Sequence, residues 1–480
     1  MPRGAANDHR RVAACAVRTA AAGGLMALVC ACAAVAPSQM TPATLAIPAA
    51  WSGADAAPAP GAASLADWWQ RFDDPLLTQL VTEALRANTS VQSAQAALRQ
   101  ARAQQDLARA ALFPSLGGSV SAQRNTGGGS SGNDFQAGLD AAWELDIFGA
   151  NRSALHARAA EVRASAASLG DVQVSIAAEV ALDYVALRGA QARLAIARAN
   201  LESQAETLQI SQWRLQAGLG TSLDSEQARA AVEQTRAQLP ALQTGIDQSS
   251  HILAVLTGQP PAALSTLLAA VRPVPQAPAD LSLGIPAETL RRRADVRAAE
   301  HQVSAAVARV AQAQALRAPN FHLGGSLGLT APTMSALTGG SSFVSALLAS
   351  ITVPLFEGGA LVAQVHVQQA VLDQARLQYR AAVLAALTDV EDALAALRGD
   401  RERLVRLQQA AEAAGNAFLM ARQRYSSGLV DFQTVLDTQR TQLSTQESVA
   451  IAAADVSADN VRLYKALGGG WNPNDKQVSP

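Results

Sequence analysis

The residues from Asn151 to Ala217 read NRSALHARAAEVRASAASLGDVQVSIAAEVALDYVALRGAQARLAIARANLESQAETLQISQWRLQA, 67 positions with no proline and only two glycines, Gly170 and Gly189. An ordinary globular helix stops within ~20 residues. At ~1.5 Å per residue this one extends roughly 100 Å, several times the width of any core the chain could build around it. The stretch reads as a rod, or as one stave of a wall. Its apolar residues fall on sevens: Leu155, Val162, Leu169 and Ile176, then, after a step, Leu187, Leu194, Leu201, Leu208 and Leu215. A strict seven-residue repeat makes neighbouring helices supercoil. The Ala, Ser and Gln between these positions allow close neighbours on more than one side.

Immediately upstream the period changes to two. Phe135, Ala137, Leu139, Ala141, Trp143, Leu145 and Ile147 alternate with Gln136, Gly138, Asp140, Glu144 and Asp146. An apolar face opposite a face carrying Gln136, Asp140, Glu144 and Asp146 suits a membrane barrel strand with a wet lumen. A preceding strand begins near Leu112, and Gly and Ser from Thr126 to Gly132 supply the turn, giving a hairpin over 112–147. Further back, Trp68-Trp69 and Asp73-Asp74-Pro75 start a helix to Asn88, and a second helix from Ser90 stops before Pro114.

Downstream, Ala217-Gly218-Leu219-Gly220-Thr221 is a tip, and a return helix covers 223–256 before Pro260-Pro261. A proline-punctuated linker fills 261–286. The pattern then restarts: a helix from Arg291 to Leu316, a hairpin over 320–355, a long helix over 360–424 and a return helix over 431–467. The second ladder is Leu397, Leu404, Ala411, Phe418 and Tyr425. Ala186-Leu187-Arg188-Gly189 recurs as Ala396-Leu397-Arg398-Gly399, and Gly218-Leu219 as Gly428-Leu429, each 210 residues on. The body is thus two tandem repeats, 65–260 and 287–471, followed by a tail over 472–480.

The composition sets bounds. Thirty-eight basic and 39 acidic residues leave a net charge of −1, which points to no nucleic-acid partner. Cys15, Cys30 and Cys32 are the only cysteines, so the body holds neither disulfide nor thiol ligand. The six histidines, His9, His156, His251, His301, His322 and His366, are scattered without metal-ligand spacing, and no phosphate-cradling glycine loop follows a strand. No catalytic set, resident metal or cofactor is expected. Arg3, Arg10, Arg11 and Arg18 ahead of a short apolar run make 1–31 a secretory signal. Val29-Cys30-Ala31-Cys32 resembles a lipoprotein cleavage box with Cys32 as the acylated residue, and 32–64, rich in Pro and Ala, reads as a tether.

Two hairpins give four strands, too few to enclose a lumen, since ~8 strands only just fill their own interior. Open sheet edges are not tolerated in lipid. Copies must combine, and three would supply ~12 antiparallel strands.

Leu145-Asp146-Ile147-Phe148-Gly149, the segment PAETLRRRADVRAAE from Pro286 to Glu300, the tip Tyr425-Ser426-Ser427-Gly428 with Val435-Leu436-Asp437 and Gln439-Arg440, and Leu467-Gly468-Gly469-Gly470-Trp471 together resemble the TolC-like outer-membrane factors, in particular the lipoprotein (NodT) branch of tripartite efflux systems. The resemblance spans about 65–471. It implies a mixed, mainly helical membrane protein. In a homotrimer, four strands per chain complete the β-barrel in outer-membrane lipid, and a coiled-coil α-helical barrel with an equatorial segment continues it. An inner-membrane RND-type pump and a periplasmic adaptor are the implied partners. The implied function is passive export of small molecules: drugs, toxic compounds or metal ions. The exit duct of a type I protein-secretion system is the alternative.

By the same resemblance, Tyr425 and Asp224 form a gate latch at the tip, Asp437 narrows the pore, and Arg440 is a partner for Asp224 or Asp437. Gly218, Leu219, Gly428 and Leu429 are adaptor contacts, although a glycine there is also what a helix end needs. Asp437 and Arg440, three apart, could alternatively be a surface helix pair. The chain departs from the family at Ala294, usually a proline, at Thr434, where some members carry a second acidic layer, and at Val430, where some carry a basic latch residue.

Overall fold

The computed structural model describes residues 47–52, 65–127, 130–278, 286–339 and 342–472. The expected signal, the Cys32 lipidation site and nearly all of the tail lie outside them. In chain order, a short 3-10 turn at Trp68–Phe72 precedes α1 (Pro75–Ala87), α2 (Thr89–Ala110), β1 (Ser115–Gly127), β2 (Ser130–Leu145), α3 (Ala150–Gln216) and α4 (Ser222–Leu256). A one-turn α5 (Ser265–Leu268) follows, then α6 (Pro286–Arg292), α7 (Ala294–Ala315), β3 (Asn320–Ala331), β4 (Phe343–Thr352), α8 (Ala360–Ser426) and α9 (Phe432–Ala466). Both long helices have 67 residues and both return helices 35. The repetition read in letters is therefore a repetition of elements.

Caps account for these bounds. Asp74 accepts hydrogen bonds from the Leu76 and Leu77 amides at 2.9 and 3.2 Å, with Pro75 in the first helical position. Each of α3, α4, α8 and α9 ends on a left-handed glycine, Gly218, Gly258, Gly428 and Gly468. In each case the following residue donates to a carbonyl five positions back, as from Leu219 to Arg214 and Leu429 to Arg424. Pro240 sits inside α4 without ending it. The linker differs from the expectation in holding α5.

The chain divides into two compact units, one of residues 104–159 and 304–373, the other of 42–103, 160–303 and 374–480. The first contains a four-stranded antiparallel sheet in the order β1-β2-β3-β4. Its register pairs Leu139 with Gly118 and Leu327, and Leu329 with Phe343. One face therefore carries Leu116, Val120, Phe135, Leu139, Trp143, Leu323, Leu327, Leu347 and Ile351. The other carries Gln123, Asp134, Gln136, Asp140, Glu144, His322, Ser326 and Thr330. Val120 is 83% exposed and Leu347 81%, so the apolar face has no covering in the single chain. Pairing in the first hairpin runs out to Gly127 and Ser130, beyond the strand ends expected from a turn over 126–132. β4 ends at Thr352, before the expected 355.

The second unit holds the main core. Trp68, Trp69, Phe72, Leu77, Leu80 and Val81 pack with Val180, Tyr184 and Leu187 of α3, Leu253 of α4 and Tyr464 of α9. Trp68 stacks on Tyr464 with ring centroids 5.2 Å apart. The C-terminal Gly468-Gly469-Gly470-Trp471 closes over this core. Gly469 lies against Trp68, where a Cβ would come within 2.9 Å of the indole, and Trp471 donates to the Arg292 carbonyl at 3.0 Å. At Ala294 the missing proline does not erase the break: α6 ends at Arg292 and α7 begins at Ala294, which is buried against Val174 and Trp471. Among the described residues no helix is long and apolar enough to cross a membrane.

Candidate functional site

On the polar face of the sheet, Gln136, Asp140 and Glu144 share one side of β2, as their spacing requires. Glu144 accepts from Asn320 Nδ2 at 2.9 Å across the strand pair. Asp134, which sequence reading passed over, joins them and accepts from Gln136 Nε2 at 2.6 Å and Thr330 Oγ1 at 3.0 Å. Asp146 departs from the expectation. It lies beyond the end of β2, and its carboxylate accepts from the amides of Asn151 and Arg152 at 3.0 and 2.8 Å and pairs with the Arg152 guanidinium. The first amides of α3 have no helical acceptors, and a carboxylate there satisfies them and the helix dipole. Asp146 is a capping residue, not a lumen residue.

At the tip, each long helix turns into its return helix around a left-handed glycine, Gly218 with φ +74° and Gly428 with φ +75°. Leu219 and Leu429 project from these turns, 69% and 73% exposed. The two return helices are capped by mirror-image chemistry. In the first, Thr221 Oγ1 accepts from the Asp224 amide at 3.2 Å while the Asp224 carboxylate accepts from the Thr221 amide at 3.0 Å. In the second, 210 residues on, the carboxylate is the cap: Asp431 accepts from the Thr434 amide at 2.9 Å. Thr434 is thus the hydroxyl half of this cap.

Asp224 is committed to its capping box, and within the chain the Tyr425 hydroxyl forms no hydrogen bond with it among the described residues. Tyr425 instead packs its ring at 5.4 Å from Phe432, beside Ala228, Val435, Leu436 and Phe418. The Arg214 guanidinium lies over the same ring, 4.6 Å from its centroid. Burial pushes the Tyr425 phenol above its ordinary range, Arg214 opposes this, and the Asp224 carboxylate adds to it. Asp437 accepts from Gln433 at 3.0 Å and faces Arg440 at 3.6 Å, both side chains more than half exposed. Its carboxylate is open to solvent, and an exposed pair of this kind contributes only ~0.3–0.5 kcal/mol. Higher on the coil, Arg422 meets Glu206 at 3.2 Å, Gln439 meets Ser203 at 3.2 Å and Asn200 meets Gln446 at 2.8 Å. These contacts hold α3 of the first repeat to α8 and α9 of the second.

Two further polar centres lie in the same unit. Arg188 is fully buried and donates to Gln191 at 2.6 Å, to the Ala270 carbonyl at 2.7 Å and to Tyr184 at 3.2 Å. Tyr184 donates to the helix-capping Asp74 at 2.7 Å, and burial, with that bond, pushes its phenol up to about 12. Its counterpart Arg398 is exposed, so the shared Ala-Leu-Arg-Gly letters serve two purposes. Arg293 bridges Asp295 and Asp389 at 2.7 and 2.8 Å and donates to the Ala466 carbonyl at 3.1 Å. Arg188 thus ties the linker to α3, and Arg293 ties the junction of α6 and α7 to α8 and α9.

Comparison with known proteins bears on the same parts of the chain. The family model described as "Outer membrane efflux protein" matches residues 80–259 and 285–469, one segment in each repeat. The pyoverdine export outer membrane protein OpmQ of Pseudomonas putida is 33% identical over 457 residues, covering 90% of this chain and 94% of its own. The nodulation protein T of Rhizobium leguminosarum bv. viciae is 30% identical over 415 residues, covering 86% of each. Among solved structures, the outer-membrane channel OprN superposes with a TM-score of 0.86 at 36% identity, over 92% of this chain and all of its own. Matched in sequence along both repeats and in fold over nearly its whole described length, the chain belongs to the outer membrane efflux protein family.

Proposed function

We propose that this protein is the outer-membrane conduit of a tripartite efflux system. Three copies would complete one β-barrel and one helical tube, and small molecules would pass through it from an RND-type pump by way of a periplasmic adaptor. The observation that carries the reading is the four-stranded sheet, apolar on one face and polar on the other, with β1 and β4 unpaired at its margins and each hairpin leading into a 67-residue helix. A sheet of this kind is complete in lipid only when copies share it. The protein would be passive, with Gln136, Asp140 and Glu144 facing the wet lumen and the energy supplied by the pump.

The tips form the gate in this reading. Three Asp437 side chains around the axis would form a cation-attracting constriction. Asp224, Tyr425 and Arg440 belong to the closing contacts. Gly218, Leu219, Gly428 and Leu429 would meet the adaptor. Cys32 would carry the lipid that holds the N-terminus to the outer membrane. Native mass measurement of the full chain in detergent tests the central claim: three copies are expected, and monomers stable in detergent-free buffer would overturn it. Intact-mass analysis of the mature N-terminus tests the lipid, which Cys32→Ser should abolish.

A further inference from the structure

The contact that joins the two repeats at the tip is not the one expected from the family. The terminal turns of the two long helices carry one aromatic ring each, Trp213 and Tyr425, and the position of Tyr425 in the first repeat, 210 residues earlier, is Leu215. The arginine that precedes each position is present in both repeats, as Arg214 and Arg424. Trp213 is 59% exposed and Tyr425 half-buried, so the cation-over-ring contact to look for runs from Arg214 of the first repeat onto Tyr425 of the second. It does form, at 4.6 Å, while Arg424 is exposed. The Arg214 Nε is buried with no acceptor among the described residues. Phe432 and Leu436 back the ring on its other contacts, and the Asp224 carboxylate is held in its own capping box.

From this geometry we infer that Arg214 is a gating residue, and that the closed tip is held by its guanidinium on the face of the Tyr425 ring rather than by the Tyr425 hydroxyl. A tube walled by helix pairs widens only when neighbouring pairs slide or part, and this stack ties the last turn of α3 to the last turn of α8. It opposes widening without any buried ion pair, and loosens with a slide of a few ångströms because ring-face attraction falls off quickly with distance. The inference rests on the conduit reading above.

The test is single-channel recording of the assembled full-length protein in planar bilayers. Tyr425→Phe keeps the ring face and removes the hydroxyl; Tyr425→Leu copies the first repeat and removes the face; Arg214→Gln removes the cation; Asp224→Ala removes the expected carboxylate partner. Tyr425→Phe is expected to stay at the closed conductance level. Arg214→Gln and Tyr425→Leu are each expected to raise the open fraction by roughly ten-fold, and their combination by no more than either alone. Tyr425→Phe opening the channel as far as Asp224→Ala does, with Arg214→Gln silent, would overturn the inference and restore the hydroxyl as the tie. Tyr425→Phe retains the packing of the native side chain, so it decides the matter even where Arg214→Gln lowers yield. Silence of all four would also overturn it while leaving the conduit intact, whereas a failure of the conduit reading would show as no ion conductance from any form, wild type included.

Discussion

Asp437 lies in the first two turns of α9 with an exposed carboxylate and only a weak partner in Arg440. Replacing it by alanine should leave folding untouched and weaken block of the channel current by divalent cations; unchanged block would remove Asp437 from the constriction. Gly170 makes the opposite kind of demand. A Cβ there would lie 2.4 Å from the Trp471 ring, so Gly170→Ala must displace the indole and should cost ~1–3 kcal/mol, seen as a lower unfolding temperature and a red-shifted tryptophan emission. Asp459 gives a pH dependence. It is 1% exposed; burial pushes its carboxyl above the ordinary range, Arg462 pulls it down, and Asp400 pushes it up again. A raised carboxyl pKa means that the folded chain holds its proton longer than the unfolded one. Its contribution to stability therefore declines as pH rises from the ordinary carboxylate value through the raised one. Asp459→Asn should flatten the fall in unfolding temperature as pH rises above the ordinary carboxylate value; an unchanged slope would assign it to other groups, such as Asp171, which burial also raises.

Among the elements, the helices were legible because their signals are local. Asp74-Pro75, Gly218 and Gly428 fix helix ends through bonds made within a few residues, and the ends they fix fall within one or two positions of the reading from letters, whereas the single helix expected from Arg291 is split between α6 and α7. Asp146 was misread because the period of two runs on to Ile147 while the backbone has already left the sheet; alternation carries no mark of where a capping site takes over. Arg214 on Tyr425 left no trace in the sequence, since the partners lie 211 positions apart in different repeats and only the packing of α3 against α8 joins them. The same is true of Arg188, whose burial cannot be told from that of Arg398 by letters alone. The sheet faces, by contrast, make a direct prediction. Leu139→Arg on the uncovered apolar face should cost ~2–4 kcal/mol in a bilayer and reduce heat-resistant assembled protein on gels. Ser326→Arg, directly across from Asp140 on the polar face, should be tolerated.

At the level of the whole molecule, duplication supplied the scaffold and divergence supplied the asymmetry. Both repeats keep the 67- and 35-residue helix pair, yet only the first buries its Ala-Leu-Arg-Gly arginine, only the second carries a half-buried ring on the last turn of its long helix, and the cap residues of the return helices have exchanged roles. The unpaired margins of β1 and β4 carry a consequence for inheritance. When a tube is finished only by threefold sharing, a defective copy wastes two sound siblings. A proline in β4 that blocks pairing at that margin should therefore behave as a dominant allele: with half of the chains defective and random mixing, roughly one tube in eight is free of them. Export capacity in such a mixed strain should fall well below half, and a fall to one half only would mean that subunits sort themselves before they join.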